Sequence, residues 1–316
     1  MNNKIEKNIQ KDVLLAPFST FKIGGRADFF IDVKDRNELI EAMAWAKNNK
    51  VKIFIIAGGS NILINDNGFR GLIIKYSDSK IQLEENKLKC AAGAILAEVV
   101  KQTKDFNLSG IEWASRIPGT IGGATRGNAG AFGGEMKDIV FAVEVFDIEN
   151  NKIFILNHNE CKFDYHDSVF KYNNNLIIMS VTIGLIIEEK KKIDKLIKQY
   201  SGHRLKVLPR EPSAGCIFKN VKLSELEKNN KELAELAKQT IEIWGGEIGA
   251  GWFIDKLGFK GKTIGGAKIS NKHANFIINT NNAKAEDVIM LISLVKQKIR
   301  KEFGIQMHEE IQYVGF

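Results

Sequence analysis

Apolar positions recur along the chain in two periods, and the switches between them mark out its elements. Ala27 to Val33 (ADFFIDV) is rich in aromatic and β-branched residues and predicts a short strand. Across Asn37 to Asn48, Leu39, Ile40, Met43, Ala44 and Ala46 form one apolar face at helical spacing. Ile53 to Ala57 (IFIIA) is a continuous apolar run, the pattern of a strand buried on both faces, and it ends on Gly58-Gly59-Ser60-Asn61. A strand at Leu72 to Lys75 follows Asn67-Gly68, so the chain up to Lys75 predicts a small α/β unit. Short strands then recur at Leu88–Ala91, Val140–Asp147, Lys152–Leu156 and Leu176–Ile187. Ile193, Leu196, Ile197 and Tyr200 predict a helix over Glu189–Tyr200. Val207–Ser213 carries two of the four prolines and is the best domain boundary. Beyond it the pattern predicts a charged helix over Leu223–Trp244, a strand at Ala274–Asn279 and a long helix at Ala285–Phe303. No internal repeat is visible.

Composition narrows the class. At ~150 residues per domain, 316 residues predict about two domains. A chain that is 44% hydrophobic and 27% charged is globular rather than disordered. No apolar run approaches the ~20 residues of a membrane span, and Met1 to Asp12 is too polar for a signal peptide, so a cytoplasmic protein is expected. Three widely spaced cysteines, Cys90, Cys161 and Cys216, argue against a disulfide framework and a metal site. The five histidines show no metal-ligand spacing.

The net charge of +8 first points to an anionic partner. Eight Lys/Arg against three Asp/Glu between Glu188 and Arg210 place a net +5 in one stretch. Its aromatics are not interleaved as a base-stacking surface requires, so nucleic acid is disfavoured. Glycine is more informative: seven of the 28 lie between Gly119 and Gly134, and eight between Gly245 and Gly266. With so few prolines these are not linkers; such runs let a backbone pass close to something. Ala57-Gly-Gly-Ser-Asn-Ile-Leu63, at a strand end, can turn several backbone N–H groups toward one anion. Arg116-Ile-Pro-Gly-Thr-Ile-Gly-Gly-Ala-Thr-Arg-Gly-Asn-Ala-Gly-Ala-Phe-Gly-Gly134 has so many small residues that a bulky ligand filling the space is the economical reading. Familiar nucleotide signatures are missing: Gly261-Lys262-Thr263 lacks the leading glycine of a phosphate loop, Lys256 standing there, and no Gly-x-Gly-x-x-Gly follows a predicted strand.

Together these segments resemble the UDP-N-acetylenolpyruvoylglucosamine reductase (MurB) family over nearly the whole chain. Ser19-Thr-Phe-Lys-Ile-Gly-Gly25, the two glycine loops and Tyr165-His-Asp-Ser168 carry the likeness through the first half. Pro212-Ser-Ala-Gly-Cys-Ile-Phe-Lys-Asn220, Ala250-Gly-Trp-Phe-Ile-Asp255, Ile264-Gly-Gly-Ala-Lys268 and Glu309-Glu-Ile-Gln-Tyr-Val-Gly315 extend it to the end. The resemblance implies an α+β protein with a two-subdomain FAD-binding domain of the PCMH/vanillyl-alcohol-oxidase type over 1–200, its subdomains near 1–78 and 79–200. A substrate-binding domain over 201–306 follows, and a terminal strand at 307–316 returns to the FAD domain. It also implies NADPH-dependent reduction of UDP-N-acetylglucosamine enolpyruvate to UDP-N-acetylmuramate in peptidoglycan precursor synthesis, by a protein expected to be a monomer. Flavin N5 would give hydride to C3 and a protein acid would protonate C2. FAD would be held by Gly58, Gly59, Ser60, Asn61 and Ile62, by Pro118, Gly119, Thr120, Gly122 and Gly123, and by Asn128, Ala129 and Gly130.

Three catalytic positions carry over, two with a changed residue. The proton donor, commonly serine, is Cys216; a thiol with an unperturbed pKa of ~8.5 is mainly protonated at pH 7 and can still donate. The usual arginine of Tyr-Arg-x-Ser, which helps stabilise charge on the enolpyruvyl carboxylate, is His166, shorter and only partly charged near neutrality. The near-terminal glutamate is Glu310, preferred over adjacent Glu309 because it directly precedes Ile311 and keeps the spacing to Gly315. Asn220, His273 and Tyr165 match substrate-contacting positions. The Leu223–Glu247 segment is longer than in many relatives and predicts a surface amphipathic helix. The competing readings are an FAD-dependent oxidase or dehydrogenase of another alcohol or sugar and, from a different class, a basic nucleic-acid-binding protein.

Overall fold

A computed structural model describes residues 3–241, 243 and 245–316. The chain forms two compact units, and neither is one continuous stretch. The first comprises residues 1–13, 27–58 and 70–206; the second comprises 14–26, 59–69 and 207–316.

The first unit is built on two sheets. In the four-stranded sheet the order is Gln10–Leu14, Arg26–Val33, Phe69–Tyr76, Ile53–Ile56. Ile53–Ile56 runs parallel to Phe69–Tyr76. It is an edge strand, and only Ile56 is fully buried, which corrects the expectation of burial on both faces. An unbroken apolar run marks a strand but does not tell an edge from a centre. The Arg36–Asn48 helix packs through Leu39, Ala42, Met43 and Ala46. Asp35 caps it, accepting from the N–H groups of Asn37 and Glu38 at 2.8 and 2.9 Å. Such a cap contributes about 1 kcal/mol.

The second sheet of this unit is five-stranded and antiparallel, in the order Lys152–Asn157, Val140–Asp147, Leu176–Gly184, Lys87–Ala91, Ile81–Glu84. Val143, Val145 and Val181 on its inner face join Trp113, Ile121 and Met136 in one core. The run predicted as a single strand from Leu176 to Ile187 is two, Leu176–Gly184 and Ile186–Ile187, separated at buried Leu185. The Leu96–Asp105 helix, which sequence patterning did not single out, lies on this core through Leu96, Val99 and Val100. The charged helix expected over Glu189–Tyr200 runs on as Lys190–Val207.

In the second unit an antiparallel sheet orders Ser213–Cys216, Phe276–Asn279, Ala267–Ile269 and Thr263–Ile264. The Ala285–Phe303 helix covers it with Val288, Leu291, Ile292, Val295 and Ile299, spaced as one helical stripe. Asp66 fixes this helix at its start, accepting from the N–H groups of Ala285 and Glu286 at 2.9 and 3.2 Å. Gly304, at φ +72°, ends it in a left-handed C-cap. The last strand, Gln312–Val314, pairs in parallel with Ile62–Ile64. The helix expected from Leu223 to Trp244 is instead two, Leu223–Asn229 and Lys231–Thr240. Asn230 breaks it, leaving helical geometry to accept from the Leu233 N–H at 3.0 Å. Residues 242 and 244, within the expected span, lie outside the described residues.

Candidate active site

In the first unit the two glycine loops meet backbone to backbone. A Cβ on Gly58 would stand 2.5 Å from the Gly119 Cα, and one on Gly122 would stand 2.6 Å from the Ala92 Cβ. Only glycine permits that approach. Thr120 caps the short Ile121–Arg126 helix, its Oγ1 accepting from the Gly123 N–H at 3.3 Å. Among the described residues, the N–H groups of Gly58, Gly119 and Thr120 donate to no other protein group. Backbone donors left open on glycine-lined loops suit a diphosphate, so the residues present fit the flavin nucleotide that the family resemblance implies. Asn128 does a different job. Its amide donates to Glu135 Oε2 and to the Asp164 carbonyl, both at 2.8 Å, and its Oδ1 accepts from the Lys137 N–H at 2.9 Å. Ala129 and Gly130 follow, with Gly130 paired opposite Glu135 in a two-residue ladder.

The bond from Asn128 ties this loop to the turn that presents Tyr165 and His166. Asp164 and Asp167 exchange both backbone hydrogen bonds, at 3.1 and 3.0 Å. His166 takes the left-handed conformation at φ +46°, and its ring meets that of Tyr165 edge-on at 4.4 Å. Lys171 Nζ donates to the His166 carbonyl at 2.6 Å, and Ser168 Oγ donates to the Arg126 carbonyl at 2.6 Å. The expected residues of this unit, Pro118 to Gly130 with Tyr165 and His166, therefore belong to one connected body. Burial lowers the Arg126 guanidinium from its ordinary pKa, against the opposing pull of the Asp167 charge.

In the second unit Gly59, at φ +61°, leaves no room for a side chain: a Cβ would stand 2.1 Å from the Phe18 carbonyl oxygen. Ser60 and Asn61 lead from it into the Ile62–Ile64 strand. Asn61 Nδ2 donates to the Glu310 carbonyl at 3.2 Å, and the Gln312 N–H donates to the Asn61 carbonyl at 2.9 Å. The Glu310 N–H in turn donates to the Ile217 carbonyl at 2.8 Å, one residue past Cys216. The Lys219 N–H donates to the His308 carbonyl at 2.9 Å, so residues 308–310 lie alongside 217–219. Cys216 and Glu310, far apart in sequence, are thus drawn together along the backbone, Glu310 bonding to the residue that follows the Ser213–Cys216 strand. Cys216 is half-buried, whereas burial pushes the thiols of Cys90 and Cys161 up to about 12.

Asn220 is exposed, and its Oδ1 accepts from the Ala250 N–H at 3.2 Å, at the start of the Ala250–Lys256 helix. His273 is half-buried with its ring edge-on to Phe276 at 4.8 Å. Two residues that sequence reading missed organise this unit. Asn275, 3% exposed, accepts from the Phe218 N–H at 3.0 Å and donates to the Phe218 carbonyl at 2.8 Å. Lys296 binds both carboxylate oxygens of Glu309 at 2.8 and 3.0 Å. An asparagine in a strand motif and a lysine in a long helix carry no local signal for either role. The one available clue was the Glu309-Glu310 doublet itself.

Comparison with known proteins agrees with the geometry. Residues 27–157 match the family model described as FAD binding domain, and residues 208–314 match that of the UDP-N-acetylenolpyruvoylglucosamine reductase C-terminal domain. The protein is therefore an FAD-dependent oxidoreductase, with a mixed α and β FAD-binding domain joined to a C-terminal α+β domain. The UDP-N-acetylenolpyruvoylglucosamine reductase of Caldanaerobacter subterraneus subsp. tengcongensis is 37% identical over 299 residues, covering 94% of this chain and 90% of that protein. That of Solibacter usitatus is 33% identical over 306 residues, 95% of each chain. The crystal structure of the reductase (MurB) from Thermus caldophilus superposes with a TM-score of 0.78 at 28% identity, covering 97% of this chain and 99% of that one. The chain belongs to the UDP-N-acetylenolpyruvoylglucosamine reductase family.

Proposed function

We propose that the protein reduces UDP-N-acetylglucosamine enolpyruvate to UDP-N-acetylmuramate at the expense of NADPH, with Cys216 as the proton donor. FAD, when bound, would supply the two-electron chemistry between NADPH and the enolpyruvyl group. The chain's residues do the rest. In the first unit, backbone N–H groups of Gly58, Gly119 and Thr120 would hold the cofactor's phosphates, with Pro118, Gly122, Gly123, Ala129 and Gly130 shaping that cradle; Gly59, Ser60, Asn61 and Ile62 are the cofactor-binding residues of the second unit. Asn128 contributes by holding its loop to the 164–167 turn. The Cys216 Sγ–H gives its proton to C2, and solvent restores that proton before the next turnover. The Glu310 carboxylate assists that transfer. Tyr165, Asn220 and His273 contact the sugar nucleotide, and His166 answers the charge that develops on the enolpyruvyl carboxylate.

The observation that carries this reading is the hydrogen bond from the Glu310 N–H to the Ile217 carbonyl, which sets a carboxylate-bearing residue beside the thiol strand. The enzyme is proposed to work as a monomer in the cytoplasm; no helix among the described residues is long and apolar enough to cross a membrane.

Separating the two half-reactions tests the assignment. Cys216→Ala should slow substrate-driven reoxidation of the reduced flavin by at least ~10²-fold, the usual scale for a lost general acid, while reduction by NADPH survives. Reoxidation at the wild-type rate would remove Cys216 from the mechanism.

A further inference from the structure

Two adjacent carboxylates, Glu309 and Glu310, precede the Gln312–Val314 strand, and the Glu309 side chain is held by the long helix. Both oxygens of Glu309 accept from Lys296 Nζ, with the lysine side chain 29% and the glutamate side chain 22% exposed. Lys296 stands in the middle of the Ala285–Phe303 helix, which Asp66 holds at its N-terminus and a buried apolar stripe holds along its length. Its ammonium is therefore carried on a fixed support.

The strand-like segment from His308 to Glu310 runs against residues 217–219, with Glu309 opposite Phe218. Successive side chains of an extended segment point to opposite sides, and a one-residue slip exchanges those sides. Here a slip would place one glutamate where the other had been, so identity alone does not reject the wrong register. Drawing Glu309 toward the helix turns Glu310 the other way.

We propose that Lys296 is a positioning residue for the reaction: by holding Glu309 it fixes the register of residues 308–310 and so selects Glu310 as the carboxylate presented to the reaction. This rests on the reading of Glu310 as the group that assists proton transfer. Lys296 touches neither substrate nor cofactor in this scheme; it acts through Glu309 and the backbone of residues 308–310. A partly exposed ion pair contributes little to global stability, so the effect on the reaction should exceed the effect on melting.

The test uses the FAD-loaded enzyme under anaerobic conditions, with flavin reduction by NADPH and reoxidation by UDP-N-acetylglucosamine enolpyruvate followed separately. Lys296→Met should slow reoxidation about tenfold, a moderate loss for a displaced catalytic group, with flavin reduction unchanged. Lys296→Arg keeps the charge and should recover most of the rate. Glu309→Gln should reproduce the loss without adding to it in the double variant, because both changes break the same link. It also serves if Lys296→Met folds poorly. Glu310→Gln is the control for the underlying reading. Wild-type reoxidation in Lys296→Met and Glu309→Gln, beside a large loss in Glu310→Gln, would overturn the positioning role and leave the Glu310 reading standing. Wild-type reoxidation in Glu310→Gln would overturn both.

Discussion

His166 is held in a left-handed backbone conformation, which histidine enters more readily than most residues, at the tip of a turn closed by Asp164 and Asp167. Its charge is conditional where an arginine's would be permanent. If its imidazolium form supports the reaction, turnover should fall as pH rises through the imidazole range. His166→Arg should flatten that fall, and Lys162 and Arg116 show that long basic side chains are accommodated at positive φ in this chain. Superimposable pH–rate profiles for the two proteins would contradict a charged role. At this scale the sequence offers candidates wherever a residue sits inside a motif, as Cys216 and Glu310 do. It was silent on Asn275 and Lys296, because each acts on a partner remote in sequence and neither type is diagnostic by itself.

Elements with a strong period were readable from pattern: Val140–Asp147 and Ala285–Phe303 fall where alternation and helical spacing place them. The Leu223–Thr240 region was misread because apolar spacing continues across Asn230 while the asparagine side chain competes for the backbone. Contacts between elements were not readable at all. Arg36, at the start of the first long helix, pairs with Glu144 of the five-stranded sheet, and Ser180 Oγ donates to the same carboxylate at 3.1 Å. Burial tends to raise the Glu144 pKa, but the Arg36 hydrogen bond and charge outweigh it and hold the group below its ordinary value. A carboxyl with a depressed folded-state pKa adds stability above its unfolded pKa, and that stability disappears as pH falls through the folded value. Glu144→Gln should therefore destabilise the protein by about 1 kcal/mol at neutral pH, the Arg36 side chain being 44% exposed and the pair screened by solvent. The gap between variant and wild type should close on acidification. A denaturant midpoint difference that stays constant from neutral to acid pH would argue against the pair.

For the molecule as a whole, the basic excess and the glycine clusters have separate explanations. Three lysines of the run along Lys190–Val207 are answered locally: Lys190 by Asp105, Lys192 by Glu188, and Lys198 together with Lys104 by Asp194. Those two lysines pull the Asp194 carboxyl down to about 2. A charge pattern so engaged reads as a solvated helix face rather than a nucleic-acid surface. The glycines, by contrast, are where backbones touch, Gly58 on Gly119 and Gly122 on Ala92. Two-unit organisation was legible from the chain length and the prolines. The grouping of residues 14–26 and 59–69 with the C-terminal unit was not, because it rests on pairing Ile62–Ile64 with the last strand of the chain. Parallel pairing between distant segments leaves no local trace. The most direct measurement of the central claim is anaerobic mixing of the NADPH-reduced, FAD-loaded protein with UDP-N-acetylglucosamine enolpyruvate, following the flavin absorbance and the product together. The oxidised flavin spectrum should return with one equivalent of UDP-N-acetylmuramate per flavin. A flavin that stays reduced in the presence of that substrate would contradict the account.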